Sequence, residues 1–497
     1  MKIYDCLIIG TGVVGASLAR LLSFYELDVA VAERHPDVAM EATKANSAIV
    51  HGGYAESHAT LKGRMCYPGR VQLIELAAEL SVPYHPLPSL VVGHEENRLA
   101  MDALLENGLR NGLPDIRIIE HNELYEREPT LAEGYDLALL CEGAGTISPY
   151  ELTIALADDA ARNGVSYLLN TAIETIHKAD DHFVLTADTG EYRAKYVVNA
   201  AGVSASFISS LLGITDYEIR PRSGEYLVLR RDSHVLPSHS IFRMPSPASK
   251  GILVTRTPDG NIMLGPDAVN IDEPDRDTHL HRLEEIWKQA LLIRPDLKPQ
   301  NFIRSFSGVR AASSLGDFVI RGGKVPGFVE AAGIESPGLT ASPVIAGMLL
   351  DLLKEEGMET IPKTQRTPAL PPIRRIKSKD EWLKQADVKA AVELDEDDPD
   401  RIVCRCEQVR LKEIREALDR PIPSTTVDGI KRRTRAGMGF CQGSFCRSRV
   451  VRVLEKESGA ETSQIREAED AVHSGISRVG RAELIKALTR INPPGSS

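Results

Sequence analysis

Long apolar runs are missing from this 497-residue sequence. No stretch approaches the roughly 20 consecutive apolar residues that a membrane-spanning helix requires, so we expect no membrane span. The N-terminus, MKIYDCLIIG, leads directly into a short apolar strand and lacks the basic region and cleavage site of a secretory signal peptide. Seven cysteines, four of them clustered, suit a reducing compartment. We therefore expect a cytoplasmic protein.

An excess of basic residues is also missing. The sequence has 59 lysines and arginines against 70 aspartates and glutamates, which gives a net charge of -11 and a pI near 5.7. Nucleic-acid binding needs a basic face, so we do not expect it. Apolar residues make up 42% of the chain, and a chain of this length is too long for one core. Two or three globular domains are therefore predicted.

Strand-like and helix-like segments alternate over residues 1–360, which are predicted to form one oxidoreductase unit. Tyr4–Ile9 and Asp28–Glu33 are predicted strands, and Val14–Leu22 is the predicted helix between them. Tyr192–Ala200 and Gly327–Ala332 are predicted to join the same sheet. The pattern predicts an α/β fold: a doubly wound, Rossmann-like domain with an interleaved antiparallel-sheet substrate domain.

The composition changes after residue 360. Residues 361–401 combine several prolines with an acidic run and are predicted to be a linker, in which Asp380–Val392 is compatible with a helix. Residues 402–457 are predicted to form a small helical module, with helices at Leu411–Leu418, Val427–Thr434 and Val450–Lys456. Residues 458–497 are charged and are predicted to form a C-terminal tail.

A glycine-rich motif, Gly10-x-Gly12-x-x-Gly15, stands between the first strand and the first helix. The first glycine permits a tight turn, the second a close approach of the backbone to a pyrophosphate, and the third close packing of the helix. Glu33 ends the next strand, where the acidic residue that binds a ribose is expected. The motif predicts binding of a dinucleotide, against the alternative of a purely structural glycine turn.

Two further strand ends favour FAD over a nicotinamide. Val197–Gly202 and Glu330–Thr340 both end a strand in small residues, as backbone lying against an extended cofactor requires. The second leads into an apolar helix, Ala341–Leu353, whose N-terminus can stabilise negative charge on a reduced flavin. Two packed strand ends without a ligand are the alternative interpretation.

Four cysteines form the most specific pattern in the chain, with Cys404-x-Cys406 followed by Cys441-x4-Cys446. Four thiolates that a small fold brings together make a metal or iron-sulfur site. A zinc site usually shows two C-x2-C knuckles, and neither half has that form. Gly437, Gly439 and Gly443 permit turns that direct backbone N–H groups to sulfur. The basic residues nearby are expected to surround the cluster, with an ordinary solvated face as the alternative; they are Arg405, Lys431, Arg432, Arg433, Arg435 and Arg447.

Four stretches carry a resemblance to a known family: IIGTGVVG, ATKANSAIVHGGY, FSGVRAASSLGDFVI and GIESPGLT. Over residues 1–360 the chain resembles the glycine-oxidase and D-amino-acid-oxidase superfamily of FAD enzymes, and within it the glycerol-3-phosphate dehydrogenases and oxidases. The block Ala42–Tyr54 also resembles the corresponding loop of L-2-hydroxyglutarate dehydrogenases. The cysteine module resembles the [2Fe-2S] domain of bacterioferritin-associated ferredoxin. Besides the glycine motif and Glu33, FAD contacts are expected at Asn46, Ser47, Ile173, Gly202, Gly333, Gly338, Leu339 and Thr340.

His51 is the predicted general base. It lies among small residues, and an imidazole that titrates near neutrality suits removal of a hydroxyl proton as hydride leaves carbon. Arg310 follows Ser307-Gly308-Val309, at the position that resembles the family's substrate-anchoring arginine, and a guanidinium can hold a phosphate or carboxylate. Lys62, Arg64 and Arg222 are weaker candidates for anion binding, because a solvated surface charge explains each of them equally well.

The sequence thus predicts an FAD-dependent dehydrogenase that oxidises sn-glycerol 3-phosphate to dihydroxyacetone phosphate and passes electrons through a [2Fe-2S] cluster to a partner subunit or carrier. L-2-hydroxyglutarate or another 2-hydroxy acid is the alternative substrate, and an amino acid comes third. A non-catalytic electron-transfer subunit is the alternative of a different class.

Overall fold

The computed structural model describes residues 2–231, 235–244, 251–373, 382–459, 465 and 478–491. The strands in these residues are β1 (Ile3–Ile9), β2 (Val29–Ala32), β3 (Ile49–Val50), β4 (Tyr84–Pro86), β5 (Ser89–Gly93), β6 (Ile116–Glu120), β7 (Leu137–Cys141), β8 (Gly145–Ile147), β9 (Ser166–Leu168), β10 (Ile173–Lys178), β11 (Phe183–Ala187), β12 (Gly190–Asn199), β13 (Ile219–Leu229), β14 (Ser240–Arg243), β15 (Leu253–Arg256), β16 (Ile262–Gly265), β17 (Val269–Asn270), β18 (Phe302–Ser313), β19 (Val319–Arg321), β20 (Phe328–Ala332), β21 (Ile402–Cys404) and β22 (Val409–Arg410).

Helices cover both sheets and build the C-terminal module. They are α1 (Val13–Leu22), α2 (Leu61–Glu79), α3 (Arg98–Arg110), α4 (His121–Arg127), α5 (Pro149–Arg162), α6 (Ala205–Ser210), α7 (Leu280–Leu291), α8 (Gly338–Glu355), α9 (Gln385–Val392), α10 (Leu411–Leu418), α11 (Val427–Thr434), α12 (Arg447–Ser458) and α13 (Arg481–Ile491). No helix in the described ranges is both long enough and apolar enough to cross a bilayer.

The first sheet has eight strands and a parallel centre. Strands β20, β12, β1, β2 and β9 run parallel in that order, and β10, β11 and β19 add antiparallel edges. The apolar run of β1 is buried where it pairs with β12 and β2, as a strand covered on both faces requires. Helices α1, α5 and α8 pack on this sheet and bury its larger core. The predicted doubly wound α/β fold is confirmed.

The second sheet has nine strands and carries the substrate side of the cleft. Its order is β17, β13, β16, β15, β14, β5, β7 and β6, and β18 pairs along most of β13. Its core is centred on Trp287 of α7, which is fully buried. Helix α13 lies in the segment predicted as a tail, and its Leu484 and Leu488 are fully buried in this same core.

The cysteine module has a small core of its own. Strands β21 and β22 form a hairpin, and α10, α11 and α12 pack around Ile414, Ile430 and Leu454. The predicted helices of this module lie close to the observed ones, since α10 and α11 coincide with them and α12 extends the third at both ends. Part of the helix-compatible segment at 380–392 lies outside the described residues, and the rest forms α9.

Candidate active site and cluster site

A cleft of about 560 Å³ lies between the two sheets, at the carboxyl ends of the parallel strands, where α/β folds bind their ligands. The two predicted catalytic residues line it, and so do nine of the predicted cofactor residues: Gly10, Gly12, Glu33, Asn46, Ser47, Ile173, Gly202, Gly338 and Leu339. The fold therefore brings together residues that are spread over some 330 positions of the sequence.

The glycine motif forms the tight turn expected of it. Gly10 has a φ of +102°, and a Cβ on it would lie 2.5 Å from the carbonyl oxygen of Ala200, at the end of β12. A Cβ on Gly15 would lie 2.0 Å from the Gly10 carbonyl oxygen, so Gly15 supports the turn from behind instead of lining the cleft. Gly12 precedes α1 and has no side chain to cap the helix, although the Thr43 hydroxyl accepts a hydrogen bond from the Val13 N–H at 3.1 Å. The other N–H groups of the first turn and the open space beside them suit a pyrophosphate.

Glu33 stabilises the glycine loop through hydrogen bonds. Its Oε2 accepts hydrogen bonds from the backbone N–H of Thr11, at 2.9 Å, and from the Thr11 hydroxyl, while its Oε1 accepts one from the His35 N–H at 3.0 Å. The same carboxylate lines the cleft, so its predicted contact with a ribose stays a prediction. Sequence reasoning did not identify the role of Thr11.

Two predicted cofactor residues lie behind the wall of the cleft. Gly333 has a φ of +68°, and a Cβ on it would lie 2.6 Å from the Cβ of Ser313, so it shapes the turn after β20. Thr340 is fully buried in α8, and its Oγ1 accepts a hydrogen bond from the His51 backbone N–H at 2.9 Å. Both residues thus position the cleft-lining segments instead of lining the cleft.

The second helix that begins at the cleft is α8. Gly338 and Leu339, its first two residues, line the cleft, and in the described structure no side chain caps this N-terminus and no acidic residue stands in the first turn. The positive end of the helix dipole therefore faces the cleft, where it can stabilise negative charge.

His51 lies where the loop after β3 meets α8. Its Nε2 is 3.2 Å from the Ser336 hydroxyl, and both residues line the cleft. Burial lowers the pKa of His51 to about 4, so the imidazole is neutral at physiological pH. A neutral imidazole can accept a proton. Ser336 stood in the motif GIESPGLT, and sequence reasoning gave it no role.

Arg310 and Arg222 lie side by side in the cleft. They are directly opposite each other on the antiparallel strands β18 and β13, so their side chains project from the same face. Nε of Arg222 is buried without a hydrogen-bond partner, and neither arginine has a carboxylate within ion-pair distance in the described structure. Asp267 also lines the cleft, but it accepts two hydrogen bonds from Arg282. The arrangement leaves two guanidinium groups to bind an anion.

The other two weak anion-binding candidates are placed elsewhere. Lys62 is buried and donates to Glu335, at 2.6 Å, and to the Gly316 carbonyl. Arg64 donates to the backbone carbonyls of His58 and Ala59. Neither lines the cleft, so the structure favours the alternative, a structural or surface charge, for both.

The four predicted metal ligands come together at the edge of the module. The sulfurs of Cys406 and Cys441 are 3.4 Å apart, and Cys446 hydrogen-bonds to Cys404. Cys404 and Cys446 are buried, whereas Cys406 and Cys441 are half-buried. No three Cys, His or carboxylate groups of the described residues converge as ligands of one metal ion would. Two thiolate pairs fit a binuclear cluster better than a single zinc ion.

The environment of Cys404 favours the thiolate that a cluster needs. The hydrogen bond from the Cys446 thiol is the main cause that lowers its pKa to about 6, and the backbone N–H groups of Gly437 and Glu407 act in the same direction against burial. Gly437 has a φ of +90°, which is the glycine-permitted turn that the sequence suggested.

Three of the arginines expected around the cluster form ion pairs with buried carboxylates instead. Arg432 and Arg433 are buried against the first domain, where the carboxylate of Asp37 accepts hydrogen bonds from both at 2.6–2.9 Å. Arg435 pairs with Glu407 at 2.9 Å and with Asp259 of the second sheet. The expectation that these arginines surround the cluster is wrong, because each one satisfies a buried carboxylate and the three together dock the module.

A second contact docks the module on α5. Asp158 is fully buried and accepts hydrogen bonds from the Arg420 guanidinium at 2.8 Å and from the Ile422 N–H at 3.2 Å. Ile422 packs against Val38 and Ile154 of the first domain. The cluster module is therefore held in a fixed position against the FAD-type domain.

Comparisons with known proteins agree with this geometry. Residues 5–352 match the family model described as FAD dependent oxidoreductase, and residues 402–456 match the model of the BFD-like [2Fe-2S] binding domain. The chain is 38% identical over 465 residues to a glycerol 3-phosphate dehydrogenase of Caloramator mitchellensis, covering 93% of this chain and 96% of that one. It is 32% identical to a glycerol 3-phosphate oxidase of Mycoplasma genitalium, over 71% of this chain and 95% of that one.

Among solved structures, the fold matches an L-alpha-glycerophosphate oxidase of Mycoplasma pneumoniae that was reduced with dithionite and has FAD bound. The TM-score is 0.71 at 28% identity, over 75% of this chain and 99% of that one.

Proposed function

Because this chain belongs to the family of FAD-dependent oxidoreductases, with FAD and a [2Fe-2S] cluster as its cofactors, we propose that it oxidises sn-glycerol 3-phosphate to dihydroxyacetone phosphate and passes the electrons through the cluster to a partner protein. The observation that carries the proposal is the placement of one neutral imidazole and two unpaired guanidinium groups in the same cleft. FAD, when bound, supplies the hydride acceptor, and the cluster supplies one-electron transfer.

His51 takes the proton. Oxidation of the secondary alcohol breaks the O–H and C–H bonds at carbon 2, with the proton going to a base and the hydride to the cofactor. Nε2 of His51 is on the cleft side, next to the Ser336 hydroxyl, and it is unprotonated at pH 7. The Ser336 hydroxyl contacts the imidazole, and Thr340 accepts a hydrogen bond from the His51 backbone N–H. Ser336 and Thr340 therefore hold His51 in place and are positioning residues.

Arg222 and Arg310 bind the phosphate. Two guanidinium groups on neighbouring strands present a charge of +2, which matches a phosphate dianion better than a single carboxylate. The unsatisfied Nε of Arg222 gains an acceptor when the anion binds. This pairing favours glycerol 3-phosphate over an amino acid as the substrate.

The electrons leave the cleft on the side that faces the cluster module. Tyr226 lines the cleft and stacks on Phe306, with ring centroids 4.6 Å apart and planes 10° apart. Phe306 belongs to β18, and Arg304 of the same strand donates a hydrogen bond to the amide oxygen of Gln442, the residue after Cys441, at 3.1 Å. The strand that borders the cleft thus also contacts the loop of the cluster ligands, and this contact supports intramolecular transfer.

A basic surface beside the cluster ligands is proposed as the docking site of an acidic electron-carrier protein. It comprises Arg401, Arg405, Arg449 and Arg452, none of which has an ion pair in the part of the chain that the structure describes. Burial and then the neighbouring Arg405 and Arg401 lower the pKa of Arg449. Phe445, next to Cys446, is 68% exposed. An exposed aromatic ring beside cations without ion pairs suits an acidic partner, and the net charge of -11 directs such a partner to this basic surface by repelling it elsewhere. We also propose a cytoplasmic location, since the three cysteines outside the cluster site, Cys6, Cys66 and Cys141, are buried and form no disulfide.

Anaerobic bleaching of the FAD absorbance tests the substrate. We expect glycerol 3-phosphate to bleach the wild type, and L-2-hydroxyglutarate and glycine to leave it oxidised. Arg222→Met removes one charge-assisted contact worth about 1.5–3 kcal/mol, so kcat/KM should fall about 10- to 150-fold, mainly through KM. Arg64→Met, which removes an arginine outside the cleft, is the matched control. Bleaching by 2-hydroxyglutarate or glycine, without bleaching by glycerol 3-phosphate, would refute the proposal.

A further inference from the structure

A second cavity, of about 260 Å³, separates the cleft from the cluster module. We call it the cationic chamber. It lies between the loop Glu41–Ala48, strand β18 and helix α11. Ala45, Asn46 and Gly308 line both the chamber and the cleft, and a Cβ on Gly308 would lie 1.9 Å from the Ala45 carbonyl oxygen. Backbone packed this closely at Gly308 and Ala45 forms part of the wall between the chamber and the cleft.

Positive charge dominates the lining of the chamber. Its described cations are Lys44, Arg276, Arg304, Lys431, Arg432, Arg435 and Arg478, and its carboxylates are Glu41, Asp259 and Asp428. The carboxylates are already engaged: Asp428 lies 3.5 Å from Lys44 and 3.3 Å from Arg432, and Asp259 pairs with Arg435. The chamber therefore has an excess of cations over anions.

Three of the cations make no ion pair within 4.0 Å in the described ranges, namely Arg304, Lys431 and Arg478. Asp428 attracts all three from a greater distance, and Arg304 donates to the neutral Gln442 amide oxygen at 3.1 Å. Burial and then the charge of Arg304 hold the pKa of Lys431 well below its ordinary value. Burial and then Arg478 lower the pKa of Arg304 to about 10. Like charges held together away from water repel each other strongly, and a bound anion relieves this repulsion.

We propose that the cationic chamber binds a phosphate-type oxyanion, either free phosphate or the phosphoryl group of a small phosphomonoester. The volume is below the roughly 300 Å³ at which pockets for larger organic ligands begin, so a small anion fits. Guanidinium and ammonium groups together provide the donors that a tetrahedral phosphate accepts.

The anion joins two parts of the chain. Lys44 and Arg304 belong to the oxidoreductase part, whereas Lys431 belongs to the cluster module. An anion bound among them attracts both sides, so its occupancy strengthens the docking of the module beside the cleft. The site is independent of the substrate site, because Arg222 and Arg310 are not in its lining.

Equilibrium dialysis of the holoenzyme with inorganic phosphate, and separately with glycerol 2-phosphate, tests the site and distinguishes its two ligand sources. In chloride buffer of constant ionic strength we expect two phosphates per chain. Lys431→Met should weaken one of them at least tenfold, and Arg310→Met should weaken the other. Lys412→Met, whose lysine pairs with Asp400 on the surface of the same module, is the matched control. If Lys431→Met loses binding of only one of the two probes, that probe identifies the ligand source. Unchanged binding of both probes to Lys431→Met overturns the proposal.

Thermal unfolding gives a second readout that a folding defect would not imitate. Without phosphate, Lys431→Met should melt at or above the temperature of the wild type, since it removes a repelled charge. With phosphate, it should gain less than half of the increase seen for the wild type. An equal increase in both proteins overturns the proposal, whereas FAD reduction by substrate tests the cleft separately.

Discussion

The carboxylate of Asp37 is predicted to be the strongest single contact between the cluster module and the rest of the chain. It is 1% exposed, and it accepts hydrogen bonds from Arg432 at 2.7 Å and from two nitrogens of Arg433 at 2.6 and 2.9 Å. Gly429, in the first turn of α11, permits this approach, since a Cβ there would lie 2.8 Å from Asp37 Oδ2. Asp37→Asn keeps the size of the side chain and removes its charge.

The expected cost is large because the partners stay charged. Both guanidinium groups are at most 3% exposed, and breaking a buried ion pair from one side costs about 3–5 kcal/mol. The docking equilibrium should therefore weaken by at least a hundredfold, since each 1.4 kcal/mol is a factor of ten. Burial opposes ionisation of Asp37, but Arg433 and Arg432 lower its pKa. The contribution is therefore complete above about pH 4 and is lost only as the pH falls through the lowered pKa.

Urea unfolding of the holoenzyme at pH 7, followed by the visible circular dichroism of the cluster and by FAD fluorescence, measures this cost. Asp37→Asn should unfold at a clearly lower urea concentration on the cluster signal. Asp400→Asn is the matched control, because Asp400 pairs with Arg410 and Lys412 at an exposed site where ion pairs contribute about 0–1 kcal/mol. If the two variants unfold within about 0.5 kcal/mol of each other, the docking argument is wrong.

Two further predictions concern catalysis and the partner. Burial lowers the pKa of His51 to about 4, so FAD reduction at saturating substrate should hold its rate from pH 7 to about 5 and fall as the pH drops through 4. A half-maximal rate near pH 6.5 would contradict this, and His51→Ala should remove the acid limb. Arg405→Glu should slow reduction of an acidic ferredoxin about tenfold at low salt, with little effect at 0.5 M salt and none on FAD reduction. Equal slowing with basic cytochrome c would disprove the docking surface.

The glycine motif and the cysteine spacing could be read from the sequence because each is local. Gly10 and Gly12 are set by the strand, turn and helix around them, and the structure places both in the cleft. Cys404 and Cys406 belong to one hairpin, and the spacing and its family resemblance predicted a common site with Cys441, whose sulfur lies 3.4 Å from that of Cys406. Motifs such as these depend on a few neighbouring residues with strong backbone preferences.

The arginines show where sequence reasoning failed. A run of basic residues beside a metal-binding loop suggested charge around the cluster, but Arg432 and Arg433 turn to a carboxylate almost 400 positions earlier. In the sequence, Arg222 could not be distinguished from a surface arginine. The structure identifies it, because its strand pairs with the strand of Arg310. The direction of a charged side chain depends on which buried partner it can reach, and that depends on packing between distant segments.

The sequence by itself determined the chemistry that this protein can hold: a dinucleotide loop, a histidine among small residues and four thiolates in a module. The tertiary structure alone decided the spatial arrangement. It places the paired arginines in the same cleft as His51, docks the cluster module on the first domain, and forms the cationic chamber between the cleft and that module. The physical reason is that motifs follow from short-range backbone geometry. Electrostatic sites arise when folding brings distant charges into a compartment with little water.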